Sequence, residues 1–187
     1  MEDVYKSNFV LIDSNDRDVN EFPTHSSFSF KFGDTNVTGN SDKPFIPRKF
    51  VEVEYVAVKR VILPATNDEL PYMLLRIPEL GGSLYGSNDN ISASFCYLSN
   101  GTTKGNFLIF DFENLTEESD NQGMKILNPR IEISKLSFFL TKPNGEPVVF
   151  TDTSLNACIE LEINIVCLLY TSPSPRDSDS SRMPSSA

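Results

Sequence analysis

Apolar and polar residues alternate with a period of two along most of this chain, and helical spacing is nearly absent. Ser27-Phe28-Ser29-Phe30-Lys31-Phe32 places three phenylalanines on one face and Ser, Ser and Lys on the other. Near the other end, Ile159, Leu161, Ile163 and Ile165 share a face, with Glu160, Glu162 and Asn164 opposite. Successive side chains of a strand point to opposite faces, so such stretches read as strands with one buried side. Further strand signals lie at 8–13, 49–63, 71–80, 91–98, 107–110, 124–127, 131–140 and 146–151. In 49–63, Val51, Val53 and Tyr55 share one face while Val56, Val58 and Ile62 continue on the other, which a bulge near Tyr55-Val56 or burial on both sides would explain. Asn100-Gly101 is a hairpin signal leading into Phe107-Phe110, and Pro143-Asn144-Gly145 is a turn. The only helical turn expected is at 114–122. Nine or ten strands with turn signals between them predict an all-β fold, an antiparallel β-sandwich of jelly-roll-like kind. Uneven strand lengths argue against a closed barrel.

The sequence divides into an N-terminal arm at 1–7, a β-sandwich domain at 8–166 and a tail at 167–187. The tail is rich in Ser and Pro without apolar periodicity, a composition expected to be disordered. It also resembles the conceptual translation of a sequencing-library adaptor, so the natural sequence is expected to end or be interrupted near Val166. Within the domain, Cys96 and Cys158 sit in apolar strand patterns and read as small core residues, consistent with a reducing compartment. Four Asn-x-Ser/Thr sequons begin at Asn36, Asn90, Asn100 and Asn114, but the N-terminus lacks the apolar core of a secretory signal.

Charge narrows the function classes. Sixteen Lys plus Arg against 26 Asp plus Glu give a formal net charge of -10. A nucleic-acid partner needs a basic face, and an adjacent basic pair such as Lys59-Arg60 is read as a solvated strand edge. No apolar run reaches the roughly 18 residues of a membrane-spanning helix.

Motifs for catalysis are sparse. The single histidine, His25, lies in a polar segment. A Ser-His-Asp arrangement with Asp13 or Asp18 is formally conceivable, but no Gly-x-Ser-x-Gly elbow accompanies it. No pair of carboxylates stands out for hydrolase chemistry, and Gly81-Gly82 lacks the Lys-Ser/Thr of a phosphate loop. Asp13-Ser14-Asn15-Asp16-Arg17-Asp18 invites a calcium reading. Arg17, Asp18 and Thr24 stand where an EF-hand needs an oxygen ligand, Gly and Glu. The simpler reading is a turn ordered by Asx hydrogen bonds, with Arg17 paired to a carboxylate. Asp13, Asn15, Asp16, Arg17 and Asp18 are therefore the candidate interaction loop, and no catalytic, cofactor or metal residue is assigned.

Four blocks together resemble a known family. The first is Phe9-Val10-Leu11-Ile12-Asp13-Ser14-Asn15-Asp16-Arg17-Asp18 with Glu21-Phe22-Pro23 and Ser27-Phe28-Ser29-Phe30. The second runs from Val56 to Pro64. The third runs from Pro71 to Leu80 and on to Tyr85-Gly86-Ser87-Asn88. The fourth is Ile133 to Leu140 with Pro143-Asn144-Gly145. In order and spacing they resemble the minor capsid or capsid-associated proteins of nucleocytoplasmic large DNA viruses, the giant viruses, with Asn15 where that family's turn would have Arg. The resemblance implies a non-enzymatic virion component, assembled in the host cytoplasm, that contacts capsid proteins or copies of itself. It implies no cofactor, nucleic acid, membrane span or small-molecule substrate. The alternative is a receptor- or glycan-binding β-sandwich module, for which Tyr85, Asn88 and Asn90 are the candidates.

Overall fold

A computed structural model describes residues 3–33, 45–66, 70–112 and 123–168. They form two sheets around one core. The first sheet holds β1 (Asp3–Asp13), β4 (Phe50–Pro64), β7 (Thr102–Lys104), β8 (Phe107–Asp111), β9 (Met124–Ile133) and β11 (Cys158–Leu168). Its order is β1-β11-β4-β8-β7, with β9 also pairing β4. The second sheet holds β2 (Ser27–Phe32), β3 (Phe45–Ile46), β5 (Met73–Arg76), β6 (Cys96–Leu98) and β10 (Lys135–Thr141), in the order β3-β2-β10-β5-β6. All pairings are antiparallel except the two-residue parallel contact of β2 with β3. The fold is thus the expected all-β sandwich. The strands beyond the expected nine or ten are the very short β3 and β7, too brief to show a period.

The alternating phenylalanines build the core. Phe28, Phe30 and Phe32 are buried on β2, and Phe28 stacks on Phe138 of β10 with ring centroids 5.3 Å apart. Phe32 meets Phe50 of the opposite sheet edge-on at 5.6 Å. Leu136, Phe138 and Leu140 from β10 and Ile159, Leu161 and Ile163 from β11 complete the interior.

β4 has the bulge expected near Tyr55-Val56, as a register shift between Val53 and Tyr55, and two further shifts besides. Phe50, Val53, Val56, Val58, Val61 and Leu63 all face the core, so the buried residues step by three at three places. Each step coincides with a register shift: Phe50 to Val53 against β9, Val53 to Tyr55 against β11, and Val58 to Arg60 against β11. A bulge inserts one residue and keeps the apolar set inward. Val51, placed on Val53's face by simple alternation, is instead exposed, and Glu52 beside it has φ +53°. β4 is also a central strand, so Lys59-Arg60 is not at a sheet edge. Lys59 pairs with Glu162 and Arg60 with Asp111.

Other expectations shift locally. Residues 89–92 are a single helical turn and only Cys96–Leu98 is strand; the Asn88 side chain accepts from the Ile91 N–H, and that N-cap overrides the alternation from Ile91 onward. Asn100-Gly101 crosses between the sheets. The hairpin follows it, joining β7 to β8 through Gly105-Asn106, where Gly105 supplies φ +61°. Residues 146–151 form no strand beyond an isolated bridge of Pro147 to Thr141. The helical turn expected at 114–122 lies outside the described residues, as does the tail from 169 onward. Residues 3–7, read as an arm, are the first half of β1 and pair with 164–168 of β11, so Cys167 and Leu168 also belong to the sheet. Cys96 is a buried core thiol, but Cys158 lies half-exposed on the outer face of β11, beside Asp13.

Candidate functional site

The Asp13–Asp18 turn leaves the end of β1 and is held on every side. Residues 14–16 form one 3-10 turn, capped by Asp13, whose Oδ1 accepts from the Asn15 N–H at 2.8 Å. Both Asp13 oxygens also accept from Asn156 Nδ2, at 2.5 and 2.6 Å. Asp18 Oδ1 accepts from the Asn20 and Glu21 N–H groups. The expected Asx bonds are present. Arg17, however, does not pair with a carboxylate. Its guanidinium donates to three backbone carbonyls: Nε to Phe22 at 2.8 Å, Nη1 to Ser14 at 2.9 Å and Nη2 to Pro23 at 3.2 Å. A planar fork of donors can span three acceptors in one bend of chain, which a lysine cannot. Asn15 and Asp16 remain exposed at the tip. Among the described residues, no group of three or more His, Cys, Asp or Glu side chains is placed to hold a metal ion.

His25 lies under this turn. The Ser14 hydroxyl, 0% exposed, sits 2.7 Å from His25 Nδ1 and accepts from the Ala157 N–H at 2.7 Å. With one proton and two lone pairs, the hydroxyl can accept from Ala157 and still either donate to Nδ1 or accept from it, as the ring's tautomer dictates. Neither Asp13 nor Asp18 hydrogen-bonds the ring, and Ser14 is inaccessible, so the residues of the conceivable triad are not arranged as one. Arg17 Nη1 lies 3.1 Å from Nδ1 and 3.2 Å from Nε2. Burial first, and then the Arg17 charge, hold the imidazole below its ordinary value of 6.5, against the opposing pull of Asp13. An unfolded chain therefore takes up this proton before the folded one does. Stability is complete above pH 6.5 and is lost as pH falls from there through the folded value. Chemical denaturation at stepped pH is expected to show this slope in the native protein and to lose it in His25→Gln; an unchanged slope in the variant would assign it elsewhere.

Pattern reading missed a polar network on the outer face of the first sheet. Glu162 Oε1 accepts from Ser7 Oγ at 2.7 Å and from the Tyr55 hydroxyl at 2.8 Å, and Oε2 lies 3.5 Å from Lys59 Nζ. Asn164 Nδ2 donates to Ser7 Oγ at 3.1 Å. Burial opposes the Glu162 charge, but these donors outweigh it and hold the carboxyl below its usual range. Burial raises Tyr55, and the Glu162 charge adds to this. The bulge at Lys59 is what turns the ammonium toward Glu162, and no sequence period signals it.

The third feature is the edge of the first sheet. Among the described residues β1 has no strand beyond it in the sheet order, and Phe9 and Leu11 on its outer face are 65% and 69% exposed. Alongside it, Asn8, Phe9, Val10, Leu11, Ile46, Arg48 and Phe50 line a groove of about 350 Å³ between β1 and the edge of the opposite sheet at β3. Of the aromatic-and-amide set, Tyr85 is fully exposed. The Asn88 oxygen accepts from the Ile91 N–H in its cap, and the Asn90 amide packs so tightly under Gly145 that a Cβ there would lie 2.8 Å from its oxygen.

Comparison with protein-family models finds no match, and comparison with curated proteins finds none either. Fold and site together define a two-sheet β-sandwich with a locked N-terminal turn and one open apolar edge.

Proposed function

We propose that this chain is a minor capsid component of a large DNA virus. In this reading it has no catalytic role and acts in the virion by contact with capsid proteins or with further copies of itself. Its sandwich is taken as a relative of the jelly rolls that serve as rigid lattice parts. The observation that carries the reading is the β1 edge. Proteins usually blunt edge strands with charges, proline or bulges, because an unpaired edge invites another chain. β1 keeps one-to-one register over eleven residues and carries only Lys6 as a charge between Val4 and Ile12, with large apolar side chains exposed on it. The same strand opens the first block of family resemblance. Among the described residues no helix is long and apolar enough to cross a membrane. The glycan-binding alternative would rest mainly on Tyr85, since the Asn88 oxygen caps the helical turn and the Asn90 amide packs under Gly145.

Light scattering of the full chain over a hundredfold concentration range, alone and with purified capsomers of an icosahedral large DNA virus, tests the reading. The expected result is a mass that grows with concentration or on adding capsomers. A monomer mass under both conditions would overturn it.

A further inference from the structure

We propose that the groove beside β1 takes an extended, carboxylate-bearing peptide strand of a partner protein, which adds to the first sheet along β1 and sets its carboxylate on Arg48. The proposal rests on the reading of this chain as one that works by protein–protein contact, and it names the surface and the chemistry of the partner.

Strand addition needs a regular, unpaired row of backbone donors and acceptors. β1 supplies it: the register with β11 is unbroken from Asp3 to Asp13, and the strand contains no proline. Recognition of the side chains comes from the groove. Among the described residues that line it, Phe9, Leu11 and Ile46 offer apolar contact, and Arg48 is the only charged one. A lone cation in a groove is conspicuous on a chain of net charge -10.

Arg48 is also held ready. Its Nη2 donates to Asn8 Oδ1 at 2.7 Å, and its guanidinium carbon lies 5.8 Å from the Phe50 ring centroid. Among the described residues it meets no carboxylate: the ion pairs are Lys49 with Glu132, Lys59 with Glu162 and Arg60 with Asp111. An arginine positioned by a neutral amide and a ring keeps donors free for an incoming carboxylate, and such charge-assisted bonds are about twice as strong as neutral ones. This argues against a second copy pairing β1 with β1, because residues 4–12 of that strand contain no acidic side chain to answer Arg48.

The probe is an acetylated and amidated heptapeptide, Thr-Val-Thr-Glu-Thr-Val-Thr, titrated into the ¹⁵N-labelled full chain. The backbone amides of Asn8 to Leu11 and Arg48 are expected to shift. Affinity should fall by about tenfold or more when the peptide's glutamate becomes glutamine or when the protein carries Arg48→Gln, and the two losses should not add. N-methylation of alternate peptide residues should abolish binding. Equal affinity of the glutamate and glutamine peptides, no shift at Asn8 to Leu11, or a dimer through this edge that excludes the peptide would each overturn the proposal. The Arg48→Gln chain is also measured against capsomers by light scattering. Capsomer binding that persists while the peptide fails sinks only the groove assignment; a native chain that binds neither peptide nor capsomers and stays a monomer at every concentration sinks the capsid reading itself.

Discussion

Replacing Arg17 by alanine is expected to destabilise the domain by about 3 kcal/mol, since hydrogen bonds from a charged donor are worth roughly 1.5–3 kcal/mol each and water will recover part of the loss at Phe22 and Pro23, though not at buried Ser14. In thermal unfolding this is a fall of roughly 6–12 °C for a domain of this size. The three carbonyls belong to Ser14, Phe22 and Pro23, so the guanidinium closes the whole 14–23 bend. The bend is tied through Ser14 itself to Ala157, just before β11, and the Ser14 hydroxyl also meets His25. Arg17→Lys should recover less than half of the loss, because an ammonium is a compact donor that cannot span the fork. A loss under about 1 kcal/mol in Arg17→Ala would mean that the Asx bonds of Asp13 and Asp18 hold the bend without it.

A larger loss is expected at the centre of the sandwich. Phe28 and Phe138 are both fully buried on adjacent strands, with rings 26° from parallel. Phe138→Ala removes the transfer free energy of the ring and leaves a void, a cost of about 3–5 kcal/mol. Pairing it with Phe28→Ala in a double-mutant cycle should return a coupling of about 0.5–1.5 kcal/mol from the stacked geometry. The contrast within β1 checks the burial argument: Phe9→Ser, on an equally aromatic residue of an equally regular strand, should change stability by no more than about 0.5 kcal/mol. If urea denaturation gave similar losses for Phe138→Ala and Phe9→Ser, the assignment of inner and outer faces would be wrong.

The legible parts of this fold are the ones whose physics is local. Phe28, Phe30 and Phe32 announce their face because a strand has a period of two and these residues sit in a bulge-free stretch. The chain from Phe50 to Leu63 misleads for the complementary reason. A three-residue step between buried positions looks like a change of face until the partner strands show where the ladder slips. The Asp13–Asp18 turn is legible as Asx chemistry, since Asp13 and Asp18 reach backbone groups two or three residues away. Its other restraints are not. Asn156 and Ala157 stand 143 positions along the chain, and nothing in the sequence brings them to Asp13 and Ser14.

The same division applies to what the chain offers a partner. Alternation and composition by themselves determined an acidic β-sandwich, most of its inward face and a hydrogen-bonded turn after the first strand, because side-chain direction and turn chemistry act over a few residues. Which strand ends a sheet is a matter of who pairs with whom across the whole chain. Only the tertiary structure left β1 without an outer neighbour among the described residues, set Ile46 and Phe50 opposite it, and placed Arg48 on Asn8, forty residues away, as the one cation among those residues lining that opening.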